Sequence, residues 1–464
     1  MLTSKKIAAI VVGAGAGSRM APFNLARPKM LLPVLGRPLF GWQRDALRSH
    51  GIERIVAVVA DEFMPMVSSF TNGPDQTVVV ARGGPPGMLG AVAEGWKTLA
   101  HESWDAVVIL EGDVSFHADD LKRVVDAIED ADAAVLVDPV PEQRPGDWIT
   151  VDCQDSWVRR FSGHPRDGHL RASGVYVLGP KVVERLFRAS RFGVRVPVGG
   201  MPYREYELAQ VLDDAIDGGA MIHGVSAEHT VVNLDKPWQL YQANMVRANE
   251  WGAFATTHGN EPSGKIDSSA RIDGVLEMGP GSYVGPGVIV RGRVHLGANS
   301  VLDSGAILNG TVWIGDESRV DEYAKVSNAV LGSHSRVSHT AEVVGGVLMD
   351  GVVLAHYCEV YGVLGESVDV GAATVFGTLR FDDARTSHRV GGRWETPEEG
   401  SNASYLGDFS RTGVNVTVLP GKSVGAYSVV GPGVVVDRDI ESYRQVLVHQ
   451  DWTVKEWGPE RYGW

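Results

Sequence analysis

The sequence has few cysteines, no long apolar run and no excess of positive charge. Two cysteines in 464 residues exclude a disulfide-rich scaffold and a cysteine-rich zinc site. No stretch reaches the roughly 18 to 20 apolar residues that a membrane-spanning helix needs. The net charge is −14, from 43 Lys and Arg against 57 Asp and Glu, which disfavours general nucleic-acid binding because phosphate backbones attract positive charge. These absences predict a cytoplasmic protein that binds neither membrane nor nucleic acid.

Glycine, by contrast, is in marked excess. The chain has 56 glycines, which is about 12% of its residues against roughly 7% in average proteins. They are interleaved with Val, Ile and Leu, which argues against disorder and for an architecture with many tight corners. At about 150 residues per domain, the length suggests two or three domains.

The second half of the chain carries a six-residue repeat of aliphatic residues. These residues recur without interruption at Met278, Val284, Val290, Leu296, Leu302, Leu308, Ile314, Val320 and Val326. The period resumes in runs that begin at Leu331, Leu348, Leu364 and Leu406. A period of six is neither helical nor that of a simple alternating strand, and it predicts a solenoid of short strands with glycine-rich corners.

This repeat resembles the hexapeptide repeats of acyltransferases and some nucleotidyltransferases. The resemblance implies a left-handed parallel β-helix, which either carries a second activity or serves only to trimerise the protein. A charged segment, 377–405, interrupts the repeat. A long loop in a regular solenoid is usually functional or disordered, so it would either cover a cleft between subunits or extend into solvent.

Residues 1–240 alternate short apolar runs with amphipathic segments. The runs predict strands at 7–12, 55–59, 77–81, 106–110, 133–137 and 174–178. The amphipathic segments predict helices at 38–50, 89–100, 119–131 and 205–217. This alternation predicts an α/β, Rossmann-like domain with a mostly parallel sheet and ligands at the strand ends.

The first predicted strand leads into a glycine-rich loop, GAGAGSR at 13–19. Backbone N–H groups of such a loop can approach phosphates because no Cβ is in the way. The sequence RPKMLLPV follows at 27–34, and the two segments together resemble the N-terminal signature of sugar-phosphate nucleotidyltransferases. The resemblance implies that Arg19 and Lys29 neutralise the phosphates of a nucleoside triphosphate (NTP). It also implies nucleotide binding by Gly13, Ala14, Gly15, Gly17 and Ser18.

Two aspartates are candidate ligands for Mg²⁺. Asp113 follows a predicted strand in the sequence Glu111-Gly112-Asp113, and a carboxylate at the carboxyl end of a parallel strand can hold a metal beside phosphates. Asp235 lies in a segment, 231–240, that resembles the late metal motif of the same family. We therefore pair the two as a predicted metal site.

The predicted base and acceptor contacts depart from the family pattern. Gly84 and Gly87 lie where the family contacts the base, but its Gly-Thr motif is absent, so the nucleotide is not assigned. Where the family has a Glu, a Lys and an Asn for the sugar phosphate, this chain has Gly163, His164 and Ala172. Such losses weaken hexose recognition, which predicts an unusual phosphorylated acceptor. The remaining candidates for this pocket are Ser173, Gly174 and Glu207.

The order of the two halves resembles bifunctional sugar-1-phosphate nucleotidyltransferase/amino-sugar acetyltransferases of the archaeal type. It implies a nucleotidyltransferase domain at 1–250, a linker at 251–265 and a β-helix at 266–437. An aromatic tail at 438–464 is expected to dock on a neighbouring coil or subunit. If the β-helix acylates an amino sugar, His356 is the candidate base, Arg380 a candidate site residue, and acetyl-CoA or another acyl-CoA the donor.

The sequence therefore predicts Mg²⁺-dependent nucleotidyl transfer from an NTP to a phosphorylated sugar or sugar-like acceptor, with release of pyrophosphate. The first alternative is a bifunctional enzyme whose β-helix also acylates. The second is a catalytically silent regulatory or scaffold paralogue. The flat faces of a three-sided helix predict a homo-oligomer, either a trimer or a dimer of trimers.

Overall fold

A nine-stranded sheet organises the first half of the chain. The computed structural model describes residues 5–71, 75–81, 87–141, 148–162, 168–189, 208–254 and 264–462. From one edge of the sheet to the other, the strands are Gln76–Val80, Arg54–Val59, Ile7–Gly13, Ala106–Glu111, Leu170–Leu178, Ala133–Pro139, Ile222–Ser226, Trp157–Ser162 and Thr150–Gln154. Leu170–Leu178 and Trp157–Ser162 run against the other seven. The predicted α/β fold with a mostly parallel sheet is confirmed.

Helices cover both faces of this sheet. The α-helices of the chain are Leu39–Ser49, Met64–Ser68, Met88–Leu99, Ala118–Asp126, Pro180–Ala189, Leu208–Asp217, Pro237–Phe254 and Pro459–Tyr462. Short 3-10 turns occur at Ser18–Met20, Lys29–Leu31, Asp61–Phe63 and Ala127–Glu129. In the first strand, Ile10 packs into the core on one face and Val11 into the core on the other. A strand buried on both faces is apolar throughout, which is why these strands are readable in the sequence.

The sequence did not indicate three of the strands, Thr150–Gln154, Trp157–Ser162 and Ile222–Ser226. In Trp157–Ser162 the pairing register shifts between Val158 and Arg160, and the two buried side chains, Val158 and Phe161, are three positions apart. The irregularity removes the two-residue alternation by which a half-buried strand is recognised.

The second half is a three-sided parallel β-helix, as predicted. One sheet stacks ten two-residue strands, Lys265–Ile266, Tyr283–Val284, Val301–Leu302, Arg319–Val320, Arg336–Val337, Val353–Leu354, Asp369–Val370, Arg411–Thr412, Val429–Val430 and Gln445–Val446. The other stacks eleven, Arg271–Met278, Ile289–Leu296, Ile307–Ile314, Lys325–Leu331, Glu342–Leu348, Glu359–Leu364, Val375–Phe376, Ser404–Leu406, Thr417–Val418, Ser423–Val424 and Val435–Val436.

The six-residue repeat sets the length of each coil. Val284 pairs with Leu302, which lies three repeats along the chain. Val320 pairs with Val337, one residue less than three repeats, because the period resets at Leu331. All the predicted repeat residues from Met278 to Val326 are buried in a single apolar column. The solenoid core was therefore predictable from spacing alone.

The chain leaves the β-helix after Phe376 and returns to the same coil at Ser404, so the last two residues of the predicted insertion, 377–405, belong to a coil strand. The strands Val375–Phe376 and Ser404–Leu406 both pair with Glu359–Leu364. Between them, His388–Val390 and Arg393–Glu395 form an antiparallel hairpin, which we call the inserted hairpin. Two further two-stranded ribbons join Val114–Ser115 to Val232–Asn233 and Pro33–Val34 to Arg37–Pro38 in the first half.

The two halves share a core and two sets of ion pairs. Apolar side chains of both pack into one cluster that contains Met20, Phe23, Leu32, Leu240, Val347, Val363 and Tyr405. Arg27, which is buried, donates to Glu366 at 2.7 Å and to Asp408 at 2.8 Å. Lys236 pairs with Glu395 of the inserted hairpin at 2.6 Å.

The predicted aromatic tail contributes one more coil strand, Gln445–Val446, and then runs without sheet pairing. Trp452 and Trp457 are 80% and 70% exposed, so these two rings are not buried within the chain. Among the described helices, none has the length and apolar character that crossing a bilayer requires.

Candidate functional site

The glycine loop forms one wall of a cleft of about 650 Å³ at the carboxyl ends of the parallel strands. Strand Ile7–Gly13 ends in this loop, and Gly17 adopts the left-handed conformation with φ +59°, which favours glycine. A side chain there would also press on Lys29. Of the predicted nucleotide-binding residues, the structure places Gly13, Ala14, Gly15, Gly17, Ser18 and Gly87 on this cleft.

Lys29 lies between the two predicted metal ligands. Its ammonium donates to Asp113 Oδ2 and to Asp235 Oδ1, both at 2.9 Å. Arg19 approaches the same oxygen of Asp235 at 3.0 Å. The structure thus brings together the four residues Arg19, Lys29, Asp113 and Asp235, although they come from three distant parts of the sequence.

These charges keep Lys29 cationic. Burial alone would lower the pKa of Lys29, but the charges of Asp113 and Asp235 and their hydrogen bonds outweigh it and raise that pKa. Two carboxylates that converge on one cation form a site that attracts positive charge. The arrangement can therefore hold a cation beside a phosphate-binding loop.

The turn that presents Asp235 is held by a residue that the sequence analysis missed. The Gln239 side-chain oxygen accepts hydrogen bonds from the backbone N–H groups of Asp235 (2.9 Å) and Lys236 (2.8 Å). The Asp113 carbonyl also accepts the Leu234 N–H at 2.7 Å. The spacing of Gln239, early in the helix Pro237–Phe254, is the signal that could have suggested a capping role.

Glu111 is a second residue of the cleft for which the sequence analysis predicted no role. It lines the cleft together with Tyr176, whose hydroxyl donates to Glu111 Oε1 at 3.4 Å. A carboxylate next to Asp113 adds to the negative charge of this end of the cleft.

The predicted acceptor residues that the structure describes do not line the cleft, although Gly174 lies against Glu111, which does. Neither Ser173 nor Gly174 is among the described residues that line it. The Ser173 hydroxyl donates to Asp138, and Arg171 makes a bidentate pair with the same carboxylate at 2.8 and 2.7 Å. Arg171 also stacks on Trp148, 4.1 Å from the ring centre, so its charge is already engaged. The predicted residues Gly84, His164 and Glu207 lie outside the described residues.

The candidate acylation residues do not meet. His356 is exposed at a corner of the β-helix, where it stacks on His339 with ring centres 5.1 Å apart and meets the edge of Tyr357 at 5.0 Å. Arg380 is exposed and pairs with Asp382 at 2.8 and 2.6 Å. Across the described residues, no hydrogen bond, ion pair or ring contact joins His356 to Arg380.

A comparison with protein families matches the part of the chain that forms most of this cleft. Residues 9–193 match the family model described as the MobA-like NTP transferase domain. This segment contains the glycine loop, Lys29 and Asp113. The first half of the chain is thus similar to NTP transferase domains.

Relatives of this chain match it over both halves. It is 25% identical to a bifunctional sugar-1-phosphate nucleotidylyltransferase/acetyltransferase of Sulfurisphaera tokodaii, over 93% of this chain and 98% of the relative. It is 23% identical to the bifunctional protein GlmU of Methanococcus maripaludis, over 93% of this chain and 95% of the relative. The predicted resemblance to bifunctional archaeal-type proteins is confirmed.

Among solved structures, an inositol-1-phosphate CTP transferase from T. maritima superposes with a TM-score of 0.42 at 18% identity, over 50% of this chain and 90% of that one.

Proposed function

We propose that the cleft transfers a nucleotidyl group from an NTP to a phosphorylated sugar or sugar-like acceptor and releases pyrophosphate. The observation that carries this proposal is the convergence of Asp113 and Asp235 on Lys29 beside the glycine loop. The names of the relatives, which act on sugar 1-phosphates, support the class of acceptor. The family match supports the class of reaction.

The residues present fit Mg²⁺. Asp113 and Asp235 offer carboxylate oxygens, which this ion prefers, and both oxygens already converge on a single cationic group. These two aspartates would hold the ion. When bound, Mg²⁺ supplies charge that stabilises the phosphate oxygens of the transition state.

The chain's own groups bind and orient the phosphates. Backbone N–H groups of the glycine loop donate to the triphosphate, and Arg19 and Lys29 neutralise its charge. An oxygen of the acceptor phosphate attacks the α-phosphorus, a P–O bond forms there, and the bond to the β-phosphate oxygen breaks. Because the attacking phosphate is already ionised, no general base is required. Catalysis then rests on positioning and charge neutralisation.

The test is pyrophosphate release by the full-length protein with Mg²⁺ and each of ATP, CTP, GTP, UTP and dTTP. Each NTP is paired with a panel of phosphorylated sugars, cyclitols and other metabolites. We expect release with at least one pair. A folded protein that is inactive with every pair would favour the silent scaffold instead.

A second candidate activity is acyl transfer by the β-helix. It is supported by the acetyltransferase part of the relatives' names and by the exposed ring cluster of His339, His356 and Tyr357. Acetyl-CoA would be the donor and an amino sugar the acceptor. The test is release of free CoA by the wild type and by His356→Ala. His334→Ala, which changes an exposed histidine at another corner, is the matched control.

A further inference from the structure

The inserted hairpin reaches the glycine loop of the NTP transferase domain. Its turn consists of Gly391 and Gly392, with φ of +55° and +81°, values that favour glycine and permit a tight reversal. A Cβ added to Gly391 would lie 3.8 Å from Cγ of Arg19. A segment that interrupts the β-helix is therefore in contact distance of a residue proposed to bind phosphate.

A second cavity, of about 190 Å³, lies between the hairpin and this loop. Ser18 and Arg19 line both this cavity and the main cleft, so the two spaces meet at these residues. Pockets for drug-sized ligands have volumes of roughly 300 to 1,000 Å³. The cavity therefore suits a small group rather than a nucleoside.

Arg389 lines this cavity and has no described partner. It is exposed, and its side chain makes no hydrogen bond or ion pair within the described parts of the chain. Its guanidinium donors are therefore available to a ligand oxygen. Tyr405 also lines the cavity, but its hydroxyl oxygen is fully buried and does not face it.

The charges of the cavity favour an anion. Arg19 and Arg389 bring two positive charges, and Asp439 brings one negative charge. The Asp439 carboxylate is engaged by the backbone N–H of Ser423 at 2.9 Å. A phosphate group matches two guanidinium groups, because arginine donates in a fixed fork that fits phosphate oxygens.

The hairpin is held firmly enough for such a site to exist before a ligand binds. Glu395, at its end, makes a buried ion pair with Lys236 at 2.6 Å. The His388 Nε2 donates to the Ser401 carbonyl at 2.7 Å, and its ring lies 5.5 Å from that of Trp238. Preformed sites avoid the cost of ordering a loop upon binding.

We propose that this cavity is a phosphate subsite in which Arg389 of the inserted hairpin binds the pyrophosphate end of the NTP and the released pyrophosphate. The assignment of the ligand rests on the proposed nucleotidyl transfer. A β-helix segment would then complete a site in the other half of the same chain.

The test measures binding of inorganic pyrophosphate and of orthophosphate to the full-length protein by calorimetry, which needs no turnover. The variants are Arg389→Ala, Arg389→Lys and Arg385→Ala, the last being an exposed arginine of the same insertion that does not line the cavity. We expect Arg389→Ala to raise the Kd of pyrophosphate about tenfold, since one charged hydrogen-bonding group is lost. Arg389→Lys should recover part of the lost affinity for pyrophosphate, and Arg385→Ala should have the Kd of the wild type.

A loss confined to orthophosphate would retain the subsite but assign it to a free phosphate ligand. Equal affinities of Arg389→Ala and Arg385→Ala for both anions would overturn the proposal. Failure of the proposed function is distinguishable, because it would abolish pyrophosphate release in the wild type and leave these binding measurements intact.

Discussion

At the scale of single residues, the site is a balance of fixed charges. The Lys29 ammonium is shared by two carboxylates that raise its pKa despite burial, and Arg19 adds a second cation at Asp235. Since the raised pKa keeps the Lys29 ammonium charged, the phosphates of a bound NTP would meet a constant positive charge there. Positioning of that charge, and not its protonation, is what the fold provides.

The acceptor pocket gives a prediction at this scale. Glucose 1-phosphate and N-acetylglucosamine 1-phosphate should be poor substrates, because Gly163, His164 and Ala172 stand where the family that the sequence resembles has a Glu, a Lys and an Asn for the sugar phosphate. Arg171 cannot replace them while it is paired with Asp138. Each lost hydrogen bond costs about 1 kcal/mol and each charged one about 1.5 to 3. Two or three losses lower kcat/KM by roughly 10²- to 10⁴-fold relative to the preferred acceptor.

The measurement is kcat/KM for these two compounds against the rest of the acceptor panel, with the best NTP. Turnover of either compound as efficient as that of the best acceptor would contradict the prediction.

Residues that act within a local motif were predictable, and those that act through tertiary contacts were not. Arg19 and Lys29 stand in two short segments whose spacing is readable. Gln239 holds the turn of Asp235, but a glutamine near the start of a helix does not by itself indicate this role. Arg27, part of the second motif, serves instead to bind Asp408 of the β-helix, which no local pattern indicates.

At the scale of elements, the inserted hairpin links the two halves. The buried pair of Glu395 and Lys236 has side-chain exposures of 4% and 8%. Glu395→Gln should lower the free energy of unfolding by about 3 to 5 kcal/mol, since it removes the carboxylate charge that faces a buried ammonium. Denaturant unfolding of the variant, compared with Glu398→Gln at an exposed position of the same insertion, measures the effect.

If the two variants unfolded at the same denaturant concentration, the ion pair would not contribute to stability.

The position of this hairpin could not be predicted, because the six-residue repeat simply stops at Phe376. The repeat itself was predictable because each aliphatic residue faces the same column. A few long-range contacts hold the hairpin in position, and such contacts produce no periodic pattern in the sequence.

At the scale of the whole molecule, the β-helix is packed onto the α/β domain through a shared core. Its other outer surfaces remain available for association. Most homo-oligomers are symmetric, and a three-sided solenoid offers flat, repeated faces. We therefore predict a trimer, or a dimer of trimers, in solution.

Sedimentation equilibrium at micromolar concentration checks this prediction. A trimer of the 49.9 kDa chain would have a mass of about 150 kDa, and a dimer of trimers twice that. A mass near that of the single chain would refute it.

The most direct test of the central claim is pyrophosphate release by Asp113→Asn, with the NTP and acceptor that the wild type prefers. Because this change removes one of the two carboxylates that converge on Lys29, we predict a fall in kcat of at least about a hundredfold with an unchanged melting temperature. Asp152→Asn, which removes an exposed carboxylate from the same domain, should retain wild-type activity. A well-folded Asp113→Asn protein with the turnover of the wild type would contradict the account.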